Sequence, residues 1–435
     1  GLYRDVHLEV RRSPELLTLS VGTLRLGEGA ADLELTCEWW SGAAEPLTVS
    51  LRGHIVPDTF DGEPHAFRRQ VVVRPGRTET RTRITLREPR LWWTPDLGAP
   101  DLYRITVTPT GADGAQHSGV ESTFGVRRLE RDEETLTYTL NGRRLFLRGV
   151  WYPFANLFPA AVTDAAYRRD VAMLCEAHCN HVLAFTYVER QTFYEACDRA
   201  GLLVFQELPF AQLGPMGALD PAYPRSEQYR RWALGEVANV VRQLRGHPSV
   251  ALWGAFAETQ QDGRWVWQRY EGFTKAIGDI VRAADPDALY HPSFCDAGEA
   301  HIWNGGPWGE FSDHYDRNHR FISEFGAIAP PVLETLREMI PAGALWDRPE
   351  RASGRLGLPI EAEEYAYYWA FDYPGLANSV ARMYAHVDRA PATLERFVDA
   401  LQWYQAFGLR YCAEIYRRKR FAPVDGCRMW SYREF

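Results

Sequence analysis

The chain is 435 residues long, which is more than one domain usually needs, and 46% of its residues are hydrophobic, enough to fill a large core. It carries 57 acidic and 49 basic side chains, and the net charge of −8 argues against nucleic acid or an anionic membrane as the main partner. No apolar run reaches about 18 residues, so no membrane-spanning helix is expected.

The first part of the chain has the pattern of a β-sandwich. Residues 10–110 alternate polar and apolar side chains in short runs that glycines separate, which predicts an antiparallel sandwich of about one hundred residues. Two tryptophan pairs, Trp39-Trp40 and Trp92-Trp93, fall inside it. They could be sugar-stacking platforms, although large aromatic residues in such strands more often pack in the core and at its rim.

After residue 125, strands and helices alternate. Thr163 is placed to cap a helix with Tyr167, Val171, Leu174 and His178 on one face, and Gly201 is placed to end the next one. Strands are predicted at 145–150, 181–185, 202–208, 250–253, 288–294, 301–303, 320–326 and 427–430. Eight strands, most of them followed by a helix, predict a (β/α)8 barrel, interrupted by a long excursion over 331–391.

Two of these strands end in a carboxylate. Glu258 follows the apolar run 250–257, and Glu324 closes the run 320–324. The carboxyl ends of parallel barrel strands meet at one face, where the chemistry of such barrels takes place. Because a pair of carboxyl groups is what glycoside hydrolysis requires, these two glutamates are the primary catalytic candidates.

The chain contains no familiar cofactor motif. Cys175 and Cys179 have the spacing of a metal pair, but small side chains one helical turn apart more often pack together. We find no other metal-ligand spacing, no phosphate-binding loop and no nucleophile elbow, so neither a metal nor a cofactor is expected. Seven scattered cysteines, an odd number, favour a reducing compartment such as the cytoplasm.

Several motifs taken together resemble glycoside hydrolase family 2, in its β-mannosidase branch. They occur in the family's order over nearly the whole chain, at 1–6, 89–93, 124–127, 193–204, 247–258 and 321–326. The resemblance implies the last strand of an upstream β-domain at 1–9, an immunoglobulin-like β-sandwich at 10–127 and a (β/α)8 catalytic barrel at 128–435. It also implies that most of the family's N-terminal sugar-binding domain, and a C-terminal part, lie outside this sequence.

The same resemblance implies a retaining mechanism, with Glu258 as the acid/base and Glu324 as the nucleophile. The substrate would be a terminal β-linked sugar of an oligosaccharide or glycoconjugate, with no cofactor; the oligomeric state is left open. Trp430 resembles the aromatic platform beneath the reacting sugar.

Further candidates for contact with sugar lie near other predicted strand ends. They are Trp151, Tyr152, Phe185, Gln206, Glu207, Trp253, His301, Trp303 and Trp308. For the aromatic residues the alternative is packing within the barrel, and for Gln206 and Glu207 it is support of other site residues. His301 could bind a hydroxyl group or hold a carboxylate in place.

The sequence departs from the family pattern at three polar positions. Ala257, Trp151 and Leu183 stand where the family usually has two asparagines and an arginine. Two hypotheses therefore remain: a β-mannosidase-like enzyme with an unusual pocket, or a barrel that no longer catalyses and binds carbohydrate or a protein.

Overall fold

The computed structural model describes residues 6, 8, 10, 11 and 13–432. Within the last range, the residues that it does not describe are 112–113, 154, 157, 210–226, 258–259, 262–263, 266–270, 286, 295–298, 306–308, 317, 328 and 340–392. The chain divides into two compact units, one of residues 1–297 with 432–435 and one of residues 298–431. In the described part of the chain, no helix is both long and apolar enough to cross a bilayer.

Seven antiparallel strands form the predicted sandwich at the start of the first unit. They are β1 Glu15–Gly27, β2 Ala30–Ser41, β3 Leu47–Pro57, β4 His65–Val73, β5 Gly76–Arg87, β6 Tyr103–Thr110 and β7 Val120–Phe124. One sheet has the order β1-β2-β5 and the other β4-β3-β6-β7. Inward residues of both sheets, among them Leu35, Leu51 and Ile105, are buried in one hydrophobic cluster.

The two tryptophan pairs contribute a core residue each. Trp39 is fully buried in the sandwich, and its indole N–H donates to Thr80 at 2.8 Å. Trp92 is also fully buried, and its indole N–H donates to the carbonyl oxygen of Asp198 at 2.8 Å. The core interpretation is therefore confirmed for these two residues, since neither ring is accessible to a sugar.

Eight parallel strands follow a small sheet made of β8 Leu129–Arg131, β9 Tyr138–Leu140 and β10 Arg143–Leu145. Five belong to the first unit, in the order β17-β14-β13-β12-β11: β11 Leu147–Tyr152, β12 His181–Ala184, β13 Leu203–Glu207, β14 Val250–Ala257 and β17 Leu289–Phe294. A short hairpin, β15 Gln260–Gln261 and β16 Arg264–Trp265, follows β14. The second unit has three, in the order β20-β19-β18: β18 Ala300–His301, β19 Phe321–Phe325 and β20 Gly426–Met429.

Helices follow most of these strands, as is expected of a (β/α)8 barrel. They are α1 Asp164–Glu176, α2 Gln191–Ala200, α3 Glu227–Leu244, α4 Glu271–Ala284, α5 Asp313–Asp316, α6 Leu333–Met339 and α7 Leu394–Arg418. The Thr163 hydroxyl accepts from the Ala166 N–H at 3.2 Å, which confirms the predicted cap. Gly201 ends α2 with φ of 73°, a left-handed conformation that glycine adopts without strain.

The helix prediction is wrong at His178. Helix α1 ends at Glu176, and His178 lies beyond it with φ of 60° and an exposed side chain. Ala177 is the C-cap, and the chain there leaves the helical path before a fourth inward position is reached. The excursion over 331–391 contains α6, and the remainder of it, from 340, lies outside the described residues.

Arg127 joins the sandwich to the parallel strands within the first unit. Its guanidinium is buried and donates to the carbonyl oxygens of Pro248 and Val250, both at 2.9 Å. A third bond, of 2.7 Å, joins it to the carboxylate of Asp287. Burial raises the pKa of Asp287 to about 7, and the positive charge of Arg127 opposes that rise.

We expect Arg127→Met to destabilise this unit by about 3–5 kcal/mol, because it leaves a largely buried carboxyl group and two carbonyl oxygens without their donor. Arg128→Met is the matched control, since that side chain is 43% exposed and forms its ion pair with the exposed Glu130, and it should change stability by less than about 0.5 kcal/mol. Thermal and urea unfolding would compare the two. Equal losses from both variants would contradict this role for Arg127.

Candidate active site

Glu324 lies near the carboxyl end of β19, in the second unit. All five residues of this strand are buried. Successive side chains of a strand point to opposite faces, and the ring of Phe325 packs edge-on against Tyr416 of α7 with centroids 5.2 Å apart. Glu324 therefore points to the face of the strand opposite α7, which in a βα-barrel is the inner face.

Two neighbours place hydrogen-bonding groups on one oxygen of Glu324. The indole N–H of Trp303 donates to Oε1 at 2.9 Å, and Nε2 of His301 lies 3.1 Å from the same oxygen. The Trp303 N–H also contacts the His301 Nε2. The indole N–H is a donor, so it suits an ionised carboxylate, which only accepts. The carboxyl group is 5% exposed, and its orientation is fixed by these contacts.

Gly326 allows the close approach of two further groups. A Cβ at this position would lie 2.9 Å from the carbonyl oxygen of Trp430 and 3.1 Å from the ring of Trp303. The backbone N–H of Trp430 donates to Phe325 at 2.9 Å, which places Trp430 directly beyond β20 and beside the end of β19. Its side chain is partly exposed, as a platform for a sugar ring needs to be.

Three of the predicted contact residues in the first unit face the helices. The hydroxyl of Tyr152 donates to Asp170 of α1 at 2.9 Å, and Gln206 accepts from the hydroxyl of Tyr194 of α2 at 2.6 Å. The indole of Trp253 donates to Asp285, which precedes β17, at 3.3 Å. We therefore do not assign sugar contacts to these side chains, since each is held on the outer side of its strand.

Residues that alternate along the strands with Tyr152 and Gln206 form the opposite face of the sheet. Trp151 pairs in register with Leu183, and Leu183 with Phe205, and all three are fully buried. The ring of Phe185 meets the Trp151 indole edge to face, with centroids 5.0 Å apart. Ala257, the last residue of β14, is also buried. Apolar side chains thus stand at the three positions where the sequence departs from the family pattern.

Glu207 supports a loop at the end of β13. It is almost fully buried, and its carboxylate accepts from the backbone N–H of Thr186 at 3.1 Å. Thr186 has φ of 54°, an unusual conformation for a threonine, which this contact helps to hold. Glu258 and Trp308, which the sequence also suggested, lie outside the described residues.

The sequence did not point to Glu189, which joins two loops at the carboxyl ends of β11 and β12. Its carboxylate accepts from the Tyr167 hydroxyl at 2.6 Å and from the Ala155 N–H at 3.2 Å. Burial and the nearby carboxylate both raise the pKa of Tyr167 above its ordinary value. Its position in the loop that follows β12, the carboxyl end of a barrel strand, was the one available signal.

The residues that the structure describes do not form a binding site for a metal ion. No group of three or more histidine, cysteine, aspartate or glutamate side chains is placed there to hold an ion.

Two family models match the chain. The model described as "Glycosyl hydrolases family 2, TIM barrel domain" covers residues 133–291, and "Glycosyl hydrolases family 2" covers residues 23–127. Among relatives, Beta-mannosidase B of Neosartorya fischeri is 26% identical over 385 residues, 77% of this chain and 42% of that protein. Beta-mannosidase B of Thermothelomyces thermophilus is 26% identical over 401 residues, 79% of this chain and 43% of that protein. The chain thus spans less than half the length of these relatives.

Solved structures share the fold. The beta-D-mannosidase of Dictyoglomus thermophilum has a TM-score of 0.76 at 22% identity, over 96% of this chain and 51% of that one. The exo-chitosanase CsxA of Amycolatopsis orientalis also has a TM-score of 0.76, at 20% identity, over 97% of this chain and 50% of that one. These likenesses bear on architecture and agree with a sandwich followed by a TIM barrel.

Proposed function

Because this chain belongs to glycosyl hydrolase family 2, we propose that it acts as a retaining exo-β-glycosidase of the β-mannosidase type. It would remove terminal β-linked sugars from an oligosaccharide or glycoconjugate. The relatives in both comparisons carry the names of β-mannosidases and other exo-acting enzymes, which supports this class of substrate.

The proposed mechanism has two displacements. In the first, the carboxylate of Glu324 attacks the anomeric carbon, the glycosidic C–O bond breaks, and Glu258 gives its proton to the leaving oxygen. In the second, Glu258 takes a proton from water, whose oxygen attacks the anomeric carbon and releases Glu324. Retention requires the two carboxyl groups to lie about 5–5.5 Å apart, and this separation is a prediction for the pair.

The observation that carries the proposal is the environment of Glu324. A nucleophilic carboxylate must be ionised, fixed in direction and shielded from bulk water, and Glu324 is a buried strand-end carboxyl group with two nitrogen partners on Oε1. Glutamates that serve only structure usually pair with an arginine or cap a backbone segment, as Glu299 does with Arg428 at 3.1 Å. A neutral indole and a histidine restrain Glu324 without forming such a permanent ion pair.

Trp303→Phe tests this environment. The variant keeps a ring beside Gly326 but removes the N–H that donates to Glu324, so kcat/KM should fall by about 10–100-fold, the worth of one hydrogen bond to a charged group. Trp403→Phe, at an exposed position on α7, is the matched control and should leave kcat/KM unchanged. Unchanged activity of Trp303→Phe would show that this contact does not support the nucleophile.

The proposal itself is tested with a panel of aryl β-glycosides, including the mannoside, glucoside, galactoside, glucuronide and glucosaminide. Turnover of at least one of them, with the β-anomer of the sugar released first in the proton NMR spectrum, is the expected result. Release of the α-anomer would contradict retention.

The second candidate function is carbohydrate binding without catalysis. The observation that favours it is the face formed by Trp151 and Leu183, because a leucine offers a sugar no hydrogen bond and a tryptophan offers one donor, where polar residues would make several. Absence of turnover across the whole panel, combined with binding of one of the sugars in calorimetry, would favour this candidate over the enzyme.

A further inference from the structure

The loop that follows β18 carries Trp303, whose indole N–H donates to Glu324. The chain turns directly after this residue, because Gly305 has φ of 82°, a left-handed conformation. A Cβ on Gly305 would lie 2.1 Å from the ring of Phe311, so the turn is also closely packed. The direction of the indole N–H therefore depends on what holds the backbone of Asn304 and Gly305.

Two buried side chains hold the carbonyl oxygens of this turn. His314 of α5 is fully buried, and its Nε2 lies 2.7 Å from the carbonyl oxygen of Asn304. The hydroxyl of Tyr404, on α7, donates to the carbonyl oxygen of Gly305 at 2.7 Å. Because a carbonyl oxygen only accepts, Nε2 of His314 carries a proton in this contact. The two carbonyl groups after Trp303 thus each have a donor from a helix.

The other ring nitrogen of His314 contacts α7. Its Nδ1 lies 2.5 Å from the hydroxyl oxygen of Tyr416, which is fully buried. In the neutral ring with Nε2 protonated, Nδ1 is an acceptor, so the Tyr416 hydroxyl donates to it. Burial raises the pKa of Tyr416 well above its ordinary value, which keeps the proton on this hydroxyl. The ring of Tyr416 also packs edge-on against Phe325, the residue after Glu324, with centroids 5.2 Å apart.

The residue before His314 holds the side chain of the same asparagine. The Asp313 carboxylate accepts from the amide nitrogen of Asn304 at 2.7 Å and from the backbone N–H of Glu310 at 2.8 Å. Two consecutive residues of α5 therefore fix Asn304, one through its side chain and the other through its backbone.

We propose that His314 is a positioning residue for the nucleophile: it fixes the backbone after Trp303 and thereby aims the indole N–H at Glu324. The inference rests on the proposed function, because it assigns a task to a residue that supports the same carboxylate. Packing alone does not require a histidine here, since a buried imidazole needs partners for its nitrogens and an apolar ring of similar size needs none. A misplacement of about 1 Å in such a site can cost about 100-fold in rate.

Two replacements of His314 separate a hydrogen-bonding role from a packing role. His314→Gln keeps a nitrogen donor near the position of Nε2 and loses the ring, whereas His314→Phe keeps a ring and loses both nitrogens. We expect His314→Phe to lower kcat/KM on an aryl β-glycoside by about 10-fold, and His314→Gln by less than about threefold. His54→Phe, the same change at an exposed position of β3, is the matched control and should leave kcat/KM unchanged.

The same replacement in a Trp303→Phe background tests whether the effect passes through Trp303. His314→Phe should then add less than about a twofold loss, because the N–H that it positions is already absent. A further loss of about 10-fold would show that the two residues act independently, and it would overturn the inference.

Tyr416→Phe is the milder variant if His314→Phe does not fold, because it removes only the donor to Nδ1. It should lower kcat/KM by about 3–10-fold in the wild-type background and by less than about twofold in the Trp303→Phe background. Equal activity of His314→Phe and His314→Gln would overturn the inference and leave the enzyme intact. Absence of wild-type turnover on every glycoside would overturn the proposed function, and this inference with it.

Discussion

Replacing Glu324 by glutamine is expected to lower kcat by on the order of 10⁴- to 10⁶-fold on any substrate the protein hydrolyses. The amide matches the carboxylate in size, so the contact from the Trp303 N–H can still form and the fold should be kept. It carries no negative charge, however, and cannot form the ester to the anomeric carbon on which the first displacement depends. Steady-state kinetics on the best aryl glycoside, with circular dichroism to follow folding, measure the effect.

Glu334→Gln is the matched control for this change. Glu334 is an exposed residue of α6, in the same unit, and the same loss of charge there should leave kcat within about twofold of the wild type. If Glu324→Gln kept a tenth or more of the activity, another residue would have to be the nucleophile.

Replacing Glu258 by alanine is expected to divide the reaction into its two steps. A substrate with a good leaving group, such as a 2,4-dinitrophenyl glycoside, needs no acid, so a burst of one equivalent of phenol per protein should appear. The second step lacks its base, so steady-state kcat should then fall by about 10²–10⁴-fold. Azide, which needs no base, should restore the rate and yield the β-glycosyl azide.

The same experiment on Glu324→Gln supplies the contrast. That variant forms no glycosyl-enzyme, so azide should give neither a rate increase nor a β-configured product. If Glu258→Ala showed no burst and no response to azide while wild type remained active, Glu258 would not be the acid/base.

Much of the fold follows from local sequence signals. The alternation in β1 to β7 and the cap at Thr163 depend on residues that are close in the chain, and the structure places them as expected. The final turn of α1 was misplaced because a helix can end without glycine or proline, here at Ala177, and the periodicity at His178 was accidental.

The site was predicted less completely. Glu324, His301 and Trp303 were chosen as candidates because they lie in two neighbouring predicted strands, near the carboxyl ends. The structure places these three side chains in contact. Tyr152 and Trp253 were assigned to the pocket although they face the helices. Strands that are buried on both faces, as all eight residues of β14 are, show no alternation of polarity from which the inner side can be read.

The role of Glu189 could not be predicted from neighbouring residues in the sequence. Its partner Ala155 is 34 residues away along the chain, and the contact exists only because parallel strands bring their following loops together. His314 and Tyr416 are 102 residues apart, and their contact likewise exists only in the folded chain.

The measurement that tests the central claim most directly is identification of the glycosyl-enzyme. The wild-type protein, incubated with a 2-deoxy-2-fluoro-β-mannosyl fluoride, should lose activity and gain the mass of one fluorosugar, because the fluorine slows the second displacement more than the first. Peptide mass spectrometry should place the label on Glu324. Turnover of a mannoside by a protein that acquires no label, or a label on any other residue, would contradict the assignment of Glu324 as the nucleophile.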